Sequence, residues 1–174
     1  PISGRYFGDM STYTTMYETF NGRIFYFDIE AEWFWDNLSA VCHLFHLTSE
    51  NYFLAISLLY TLTAFATMRI LIPKKPLSSL VLVAASLMFF AFATNGIRNG
   101  LACHFTMLAF ALYLKDQKII GILLAFLAYG IHHSVGVPIA AFALSLFVYK
   151  RPQWAIYLWT LSIVASLLLG NSLT

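Results

Sequence analysis

The charge-free stretch IIGILLAFLAYGIHHSVGVPIAAFALSLFVY, residues 119–149, decides how this chain folds. A helix rises about 1.5 Å per residue and a bilayer core is about 30 Å thick, so about 20 apolar residues cross it once. As a single helix, these 31 residues would span about 46 Å, yet they are too few for two full crossings. Gly130, Gly136 and Pro138 lie around the middle of the stretch, and such residues loosen or end helices. We therefore predict two short helices with a break within about three residues of His133.

The composition of the whole chain indicates a membrane protein. Of its 174 residues, 60% are hydrophobic and 10% are charged, against about half and about a quarter in ordinary soluble domains. A single soluble domain of this length cannot bury so much apolar surface. Disorder, a secreted disulfide scaffold and an ordinary soluble domain are thereby excluded. The chain starts without Met and ends directly after an apolar run, so we expect a piece of a longer membrane protein.

Cation-bearing loops give the order of the predicted spans. Short loops rich in Lys and Arg lie on the cytoplasmic side of a membrane, and three such loops are found at residues 69–76, 115–118 and 150–152. An even number of crossings joins neighbouring loops, which places the break near His133 on the outer side. We predict an all-α, polytopic helical membrane protein with its transmembrane region at residues 51–174. Its spans are expected at about 51–72, 77–94, 97–114, 119–131, 134–149 and 153–170.

The first 50 residues are predicted to form a separate layer on the outer side. Residues 1–51 contain seven acidic residues and two cations, whereas residues 52–174 contain eight cations and one acidic residue. Such a difference in charge indicates different surroundings. Apolar residues at helical spacing predict two short amphipathic helices lying on or just above the bilayer. The first carries Met10, Tyr13, Tyr17 and Phe20, and the second, over 30–47, carries Phe34, Leu38, Val41 and Phe45.

Two further expectations concern the second amphipathic helix. Glu30 and Glu32 are expected in its first turn, where acidic side chains stabilise a helix. The aromatic residues around them are expected to form a belt at the membrane surface. These residues are Tyr26, Phe27, Trp33 and Trp35.

Arg98 is the only cation near the outer end of a predicted span, in the sequence TNGIRNG (residues 94–100). An ionisable residue inside a membrane is costly and suggests a function by default. Arginine can bind phosphate or pyrophosphate through two parallel hydrogen bonds. The alternative is a side chain that merely reaches the lipid headgroups. The flanking Gly96 and Gly100 favour a functional role, because they let another backbone or a ligand come close.

Five histidines offer further chemistry. His132 and His133 lie at the predicted break, where an imidazole can move a proton or bind a phosphate. The alternative is a polar pair that caps two helix ends. A metal site is less favoured, because it needs a third ligand and adjacent helical histidines point apart. His43 and His46 are interpreted as packing residues, and His104 is expected to form an interhelical hydrogen bond.

Asp9 is the last candidate, and two roles are open for it. It can be a helix N-cap, which Asp does well, or a carboxylate on the outer face that accepts a proton from a sugar hydroxyl. The chain has no GxSxG, HExxH, P-loop or GxGxxG motif, so hydrolase, zincin and nucleotide-binding functions lack their markers and no cofactor is predicted. Its cations are scattered singly between apolar runs, which argues against a nucleic-acid partner.

Three motifs together carry a resemblance to a known family. They are GDMSTY at residues 8–13, IRNGLA at residues 97–102 and IHHS at residues 131–134. With the short cationic loop between the last two, they resemble the EpsG-like, Wzy-type membrane polysaccharide polymerases. The resemblance covers about residues 5 to 150. Members commonly have Gln after the arginine, where this chain has Asn99.

The resemblance implies a multi-pass enzyme of the bacterial inner membrane, with GT-C-like glycosyltransferase architecture and an extracytoplasmic active site. Such enzymes join oligosaccharide units carried on undecaprenyl pyrophosphate, and a flippase and a chain-length regulator are implied as partners. Arg98, helped by His132, would stabilise the leaving pyrophosphate, and Asp9 would be the general base. The implied substrate-binding residues are Tyr13, Asn99, His133 and Ser134.

Other functions stay open at this point. An O-antigen ligase-like transferase would use the same lipid-linked donor. A transporter or flippase would line its substrate path with Arg98 and the histidines, but repeated halves are typical of such proteins and no repeat is visible. A non-catalytic subunit of a membrane complex would need no outer cavity around Arg98.

Overall fold

The computed structural model describes residues 9–22, 25–151 and 153–169. Throughout these ranges the regular secondary structure is helical, which confirms the predicted all-α fold class. The helices are α1 (Met10–Glu18), α2 (Trp33–Leu44), α3 (Ser49–Leu71), α4 (Pro76–Ala84), α5 (Leu87–Thr94), α6 (Ile97–Leu114), α7 (Lys118–Ile131), α8 (Gly136–Tyr149) and α9 (Gln153–Leu169).

The turn between α6 and α7 makes these helices an antiparallel pair. Asp116 has a left-handed conformation, with φ 63°, and the Gln117 N–H donates to the Leu112 carbonyl over 3.0 Å. This is a Schellman-type helix end, and Asp is one of the residues that tolerate a positive φ. The helices then approach closely, because a Cβ at Gly121 would lie 2.7 Å from the Ala109 carbonyl oxygen. The start of α6 and the end of α7 therefore lie at the same end of the pair.

Helix α3 packs against α6 and against α5, the helix that precedes α6. The Tyr60 ring on α3 is buried, and its hydroxyl donates to the Phe89 carbonyl over 3.0 Å. The His104 ring of α6 meets the Tyr60 and Phe89 rings edge-on, with 4.3 Å and 5.4 Å between ring centres. Aromatic packing is thus the contact that His104 makes between helices, where the sequence predicts a hydrogen bond. Helix α5 also packs closely on α6. A Cβ at Gly100 of α6 would lie only 2.7 Å from the Cβ of Phe92 of α5, so a glycine is needed for the packing of these two helices.

Helix α1 is fixed to α2 and α3 through Tyr17. The Tyr17 ring stacks on the rings of Tyr52 and His43, with 4.1 Å between ring centres in each case. Its hydroxyl donates to the Leu47 carbonyl over 2.9 Å. The Nε2 atom of His43 lies 2.7 Å from the Tyr17 carbonyl oxygen, so the packing role predicted for His43 is confirmed. The packing role predicted for His46 is wrong, because His46 is exposed and follows α2 in a left-handed conformation, with φ 52°.

Helix α2 begins three residues later than the sequence predicts. The Asp28 carboxylate accepts the Glu30 N–H over 2.9 Å, and residues 29–32 form turns. An Asp in this role stabilises a turn in competition with a helix. The first helical residue is consequently Trp33, and Glu32 occupies the N-cap position rather than the first turn.

The prediction of an aromatic belt was wrong for two tryptophans. Trp33 and Trp35 are buried within the protein. Trp33 lies against Gly130 of α7, where the absence of a side chain makes room for the indole, and Trp35 meets the Tyr52 ring edge-on. Burial against protein gives these large rings contacts that a lipid surface would not. The other predicted belt residues, Tyr26 and Phe27, are exposed.

A methyl group added at Gly130 should destabilise the protein by about 1–3 kcal/mol, the usual cost of overpacking a filled core. The new Cβ would lie between 2.5 and 2.8 Å from three indole atoms of Trp33. The measurement is thermal unfolding of the detergent-solubilised Gly130→Ala variant. Gly136→Ala is the matched control, since its Cβ would lie 3.1 Å from the nearest atom, on the Tyr129 ring. Equal melting temperatures for the two variants would contradict the packing of Trp33 on α7.

The described part of the structure has fewer clear membrane spans than the six that the sequence predicts. Within the described residues, α3 is long and apolar enough to cross a membrane, and α4 with α5 would add a second span if the bent pair counts as one. The two helices of that pair meet at 71°, so the span predicted at 77–94 is not one straight helix. Ser86 marks the bend, where its side chain caps α5 by accepting the Phe89 N–H. Helix α7, with 14 residues, has a length of only about 21 Å.

The break predicted within residues 119–149 is confirmed. Helix α7 ends at Ile131, His132 is extended with φ −159° and ψ 127°, and α8 begins at Gly136 after a 3-10 turn. The chain divides after Gly136 into two compact units. The second unit holds most of α8 and α9, where the Trp154 ring contacts Phe147 at 6.2 Å. Residue 170, the predicted end of the last span, lies outside the described residues.

Candidate functional site

Glu32 joins two of the residues that the sequence analysis selects. Its Oε2 atom pairs with Nη1 of Arg98, and its Oε1 atom pairs with Nδ1 of His132. Arg98 lies in the first turn of α6 and His132 directly follows α7, so the antiparallel pair brings them to the same end. Glu32 approaches from the N-cap of α2. We call these three residues the Glu32 cluster.

Arg98 is largely enclosed by protein. Its side chain is 26% exposed, and its guanidinium carbon lies 5.3 Å from the centre of the Tyr13 ring, within the range of cation–π attraction. Among the described residues, its buried Nε atom has no hydrogen-bond partner. Arg98 is therefore held by Glu32 and Tyr13. A side chain that only reached for headgroups would not be held in this way.

A second set of contacts fixes the turn after α7. The Ser134 hydroxyl donates to Oδ1 of Asn99 over 2.8 Å, which ties this turn to the first turn of α6. The Nε2 atom of His133 lies 3.2 Å from the Ala31 carbonyl oxygen, and its ring stacks on Tyr129 at 4.6 Å. Asn99, His133 and Ser134 thus border the Glu32 cluster, each next or next but one in sequence to one of its members.

A second carboxylate lies close to the cluster. Asp36 is one helical turn after Glu32, and burial raises the pKa of its carboxyl. The charge of Glu32 raises this pKa further, while the charge of Arg98 lowers it.

Asp9 does not join the Glu32 cluster. It occupies the N-cap position of α1, is exposed, and makes no side-chain capping hydrogen bond. It precedes Tyr13 by one helical turn, so both residues lie on the face of α1 that reaches Arg98. Its carboxylate is thus open to a ligand on that face. Gly8, the other residue of this motif, lies outside the described residues.

Glu32 is the functional candidate that sequence reasoning missed. It is separated from Arg98 by 66 positions and from His132 by 100, so no local pattern links them. The available signal is charge, because an arginine enclosed near a membrane needs a partner of opposite charge. Acidic residues are concentrated in the first 51 positions, and that signal does not select one among them.

The arrangement suits anion binding and proton transfer. A guanidinium and an imidazole converge on one carboxylate, and Nε2 of His132 is the ring nitrogen that Glu32 does not engage. Guanidinium and imidazole groups are donors for phosphate oxygens. Among the described residues, no group of three or more His, Cys, Asp or Glu residues is arranged to hold a metal ion.

Comparison with protein families gives an independent result. The model of the EpsG family matches residues 2–174 of the chain. The chain belongs to the EpsG family. EpsG is a polysaccharide polymerase-like family, so the resemblance based on three motifs is confirmed. No curated protein and no solved structure shows a significant match to the chain.

Membership of the EpsG family gives this protein a polysaccharide polymerase-like role at a membrane. The three motifs of this EpsG protein are far apart in sequence and meet in the structure. Tyr13 of the first lies against Arg98 of the second, and Glu32 connects Arg98 to His132 of the third. The site therefore contains a residue from each motif together with one residue from outside them.

Proposed function

We propose that this EpsG protein is a glycosyltransferase that polymerises oligosaccharide repeat units carried on undecaprenyl pyrophosphate. We place it in the bacterial inner membrane as a multi-pass protein of GT-C-like architecture. The observation that carries the proposal is that Arg98 and His132 meet on one carboxylate, at the end of the α6–α7 pair opposite the cationic turn at 115–118. Because cation-rich loops mark the cytoplasmic side, we assign this site to the extracytoplasmic side.

Arg98 is proposed to bind the pyrophosphate of the donor. Its planar guanidinium can form two parallel hydrogen bonds with phosphate oxygens, and Glu32 engages it through Nη1. Negative charge grows on the pyrophosphate as it leaves, so a fixed cation lowers the barrier. His132 assists through Nε2, the ring nitrogen that Glu32 leaves available.

The proposed reaction is an exchange of one bond at the anomeric carbon. A hydroxyl of one sugar unit attacks this carbon in a second unit, and a glycosidic C–O bond forms. The bond from the anomeric carbon to the pyrophosphate oxygen breaks, and its electron pair leaves with undecaprenyl pyrophosphate. The hydroxyl proton passes to Asp9, whose exposed carboxylate lies on the helix face that reaches Arg98.

The remaining candidates are proposed to contact the sugars. They supply hydroxyl, amide and imidazole groups, which can donate to and accept from sugar hydroxyls. A flippase would deliver the donor to the outer side, and a chain-length regulator would act on the product. The proposed sugar-binding residues are Tyr13, Asn99, His133 and Ser134.

The direct test is polymerisation by the intact protein in liposomes that contain the lipid-linked repeat unit of its own organism. We expect a ladder of products on a gel and release of undecaprenyl pyrophosphate. A single transfer to a different acceptor would instead identify a ligase, and movement of the lipid across the bilayer without consumption would identify a flippase. Either result would replace the polymerase proposal.

The proposed sidedness predicts the outcome of cysteine labelling in intact cells. A membrane-impermeant maleimide should label Glu30→Cys and should not label Asp116→Cys until the membrane is opened. Both positions are exposed, so access to the thiol is not limited by the fold. Cys42 and Cys103 are first replaced by alanine to remove background. Labelling at position 116 from outside would overturn the topology.

A further inference from the structure

We propose that Glu32 is a positioning residue of the transferase site. Its carboxylate holds the guanidinium of Arg98 beside the imidazole of His132 and determines which nitrogen of His132 faces the donor. This inference rests on the proposed function and adds to it a residue that no motif contains. Glu32 acts through its two partners and is not itself assigned a contact with the substrate.

The two oxygens of Glu32 are divided between the two cationic side chains. Oε2 pairs with Arg98 and Oε1 with His132, and the Glu32 side chain is 19% exposed. A carboxylate used on both oxygens fixes the separation of its partners as well as their direction. The guanidinium and imidazole groups proposed to act on pyrophosphate are thereby arranged before the lipid-linked substrate binds. Such preorganisation is a main source of catalytic power.

Hydrogen bonds of the Asn37 side chain tie together the segments before and after Glu32. The Asn37 amide nitrogen donates to the carbonyls of Tyr26 and Trp33, over 2.7 Å in each case. The Asn37 amide oxygen accepts the Phe25 N–H over 2.6 Å. Trp33, the next residue after Glu32, is locked against Gly130 of α7. A single amide and a buried indole thus fix the position from which Glu32 reaches Arg98 and His132.

The contact with Glu32 also sets the tautomer of His132. A carboxylate can only accept hydrogen bonds, so Nδ1 of His132 carries a proton. Nε2 is then the nitrogen that faces the lipid-linked sugar donor, and it donates to a phosphate oxygen when the ring carries a proton on both nitrogens. Without the carboxylate, an imidazole side chain in water favours the tautomer with the proton on Nε2, and the ring is free to rotate. Loss of Glu32 should therefore change the state of His132.

Glu32→Gln separates positioning from binding. The substitution keeps the size of the side chain and removes its charge, so Arg98 remains an attractive partner for an anion. We expect kcat for polymerisation to fall about 10- to 100-fold, as expected when catalytic groups are misplaced by about an ångström. The KM for the lipid-linked donor should not rise, because the change removes negative charge beside the pyrophosphate. Glu30→Gln is the matched control, since Glu30 is exposed and two residues away.

The second readout is nitrogen NMR of the intact protein labelled with [¹⁵N]histidine. A His132→Asn variant assigns the His132 signals. In the wild type, Nδ1 of His132 should be protonated. In Glu32→Gln, the single amide oxygen is attracted to the guanidinium of Arg98 and the amide NH2 group then faces Nδ1, so the His132 signals should move towards the Nε2–H tautomer. Unchanged His132 signals, or polymerisation equal to that of the wild type, would overturn the inference.

Two further measurements keep the test decisive. If Glu32→Gln does not fold, Glu32→Asp replaces it, because the shorter side chain cannot reach both cations; full polymerisation by Glu32→Asp would also overturn the inference. The histidine spectra do not depend on polymerase activity. An inactive wild-type protein would therefore count against the proposed function, while the spectra would still decide whether Glu32 sets the state of His132.

Discussion

Replacing Arg98 by Lys should lower polymerisation by about 100- to 1,000-fold, the effect of losing a fixed donor to a developing anion. Lysine keeps the charge and can pair with one oxygen of Glu32. It lacks the planar fork, so it cannot hold Glu32 and grip pyrophosphate with two hydrogen bonds at once. In the structure, Arg98 already gives Nη1 to Glu32 and has Nε without a partner among the described residues. One ammonium group cannot replace both functions.

The measurement is the chain length of surface polysaccharide on a gel, beside a blot of the membrane fraction. The level of the variant in the membrane should be normal, because lysine preserves the charge that pairs with Glu32. Arg69→Lys is the matched control, since Arg69 is exposed in the last turn of α3, outside the site. Full-length polymer from Arg98→Lys would support the alternative that Arg98 only contacts lipid headgroups. The main catalytic assignment would then be removed.

The fold class and the break near His133 could be predicted because they follow from local composition. Glycine and proline weaken a helix wherever they occur, so a long apolar stretch interrupted by them predicts its own break. The bend between α4 and α5 was not predicted, because Ser86 is one small polar residue in an apolar run. Its capping hydrogen bond to the Phe89 N–H is local, but a single serine in an apolar run is equally compatible with a continuous helix.

The candidate site could be predicted only in part, for a similar reason. Arg98 and His132 are conspicuous because polar residues are rare in apolar segments, and a rare residue there suggests a function. Glu32 belongs to a segment rich in acidic residues, where nothing in the sequence separates it from its neighbours. Trp33 was assigned to the lipid surface because the sequence does not show that Gly130 of α7 provides a place for its ring.

Replacing Asp9 by Asn should lower polymerisation by about 100- to 10,000-fold if Asp9 is the general base. The substitution removes the only group at this position that can take a proton from the acceptor hydroxyl. It preserves the alternative role, because Asn and Asp cap helices about equally well. The Asp9 side chain makes no capping hydrogen bond in the structure, so α1 should lose little stability. Helix α1 also stays anchored by Tyr17, whose ring stacks on Tyr52.

Purified Asp9→Asn protein in liposomes gives the clearest measurement, because binding of the donor and turnover can be separated there. The Glu32 cluster, which includes Arg98, is unchanged in this variant. The KM for the lipid-linked donor should therefore stay within about twofold, while kcat falls. Glu18→Gln, at the other end of α1 and exposed, is the matched control for loss of one carboxylate from the helix. A normal product ladder from Asp9→Asn would restrict Asp9 to the start of α1. The acceptor proton would then have to leave through another group of the site.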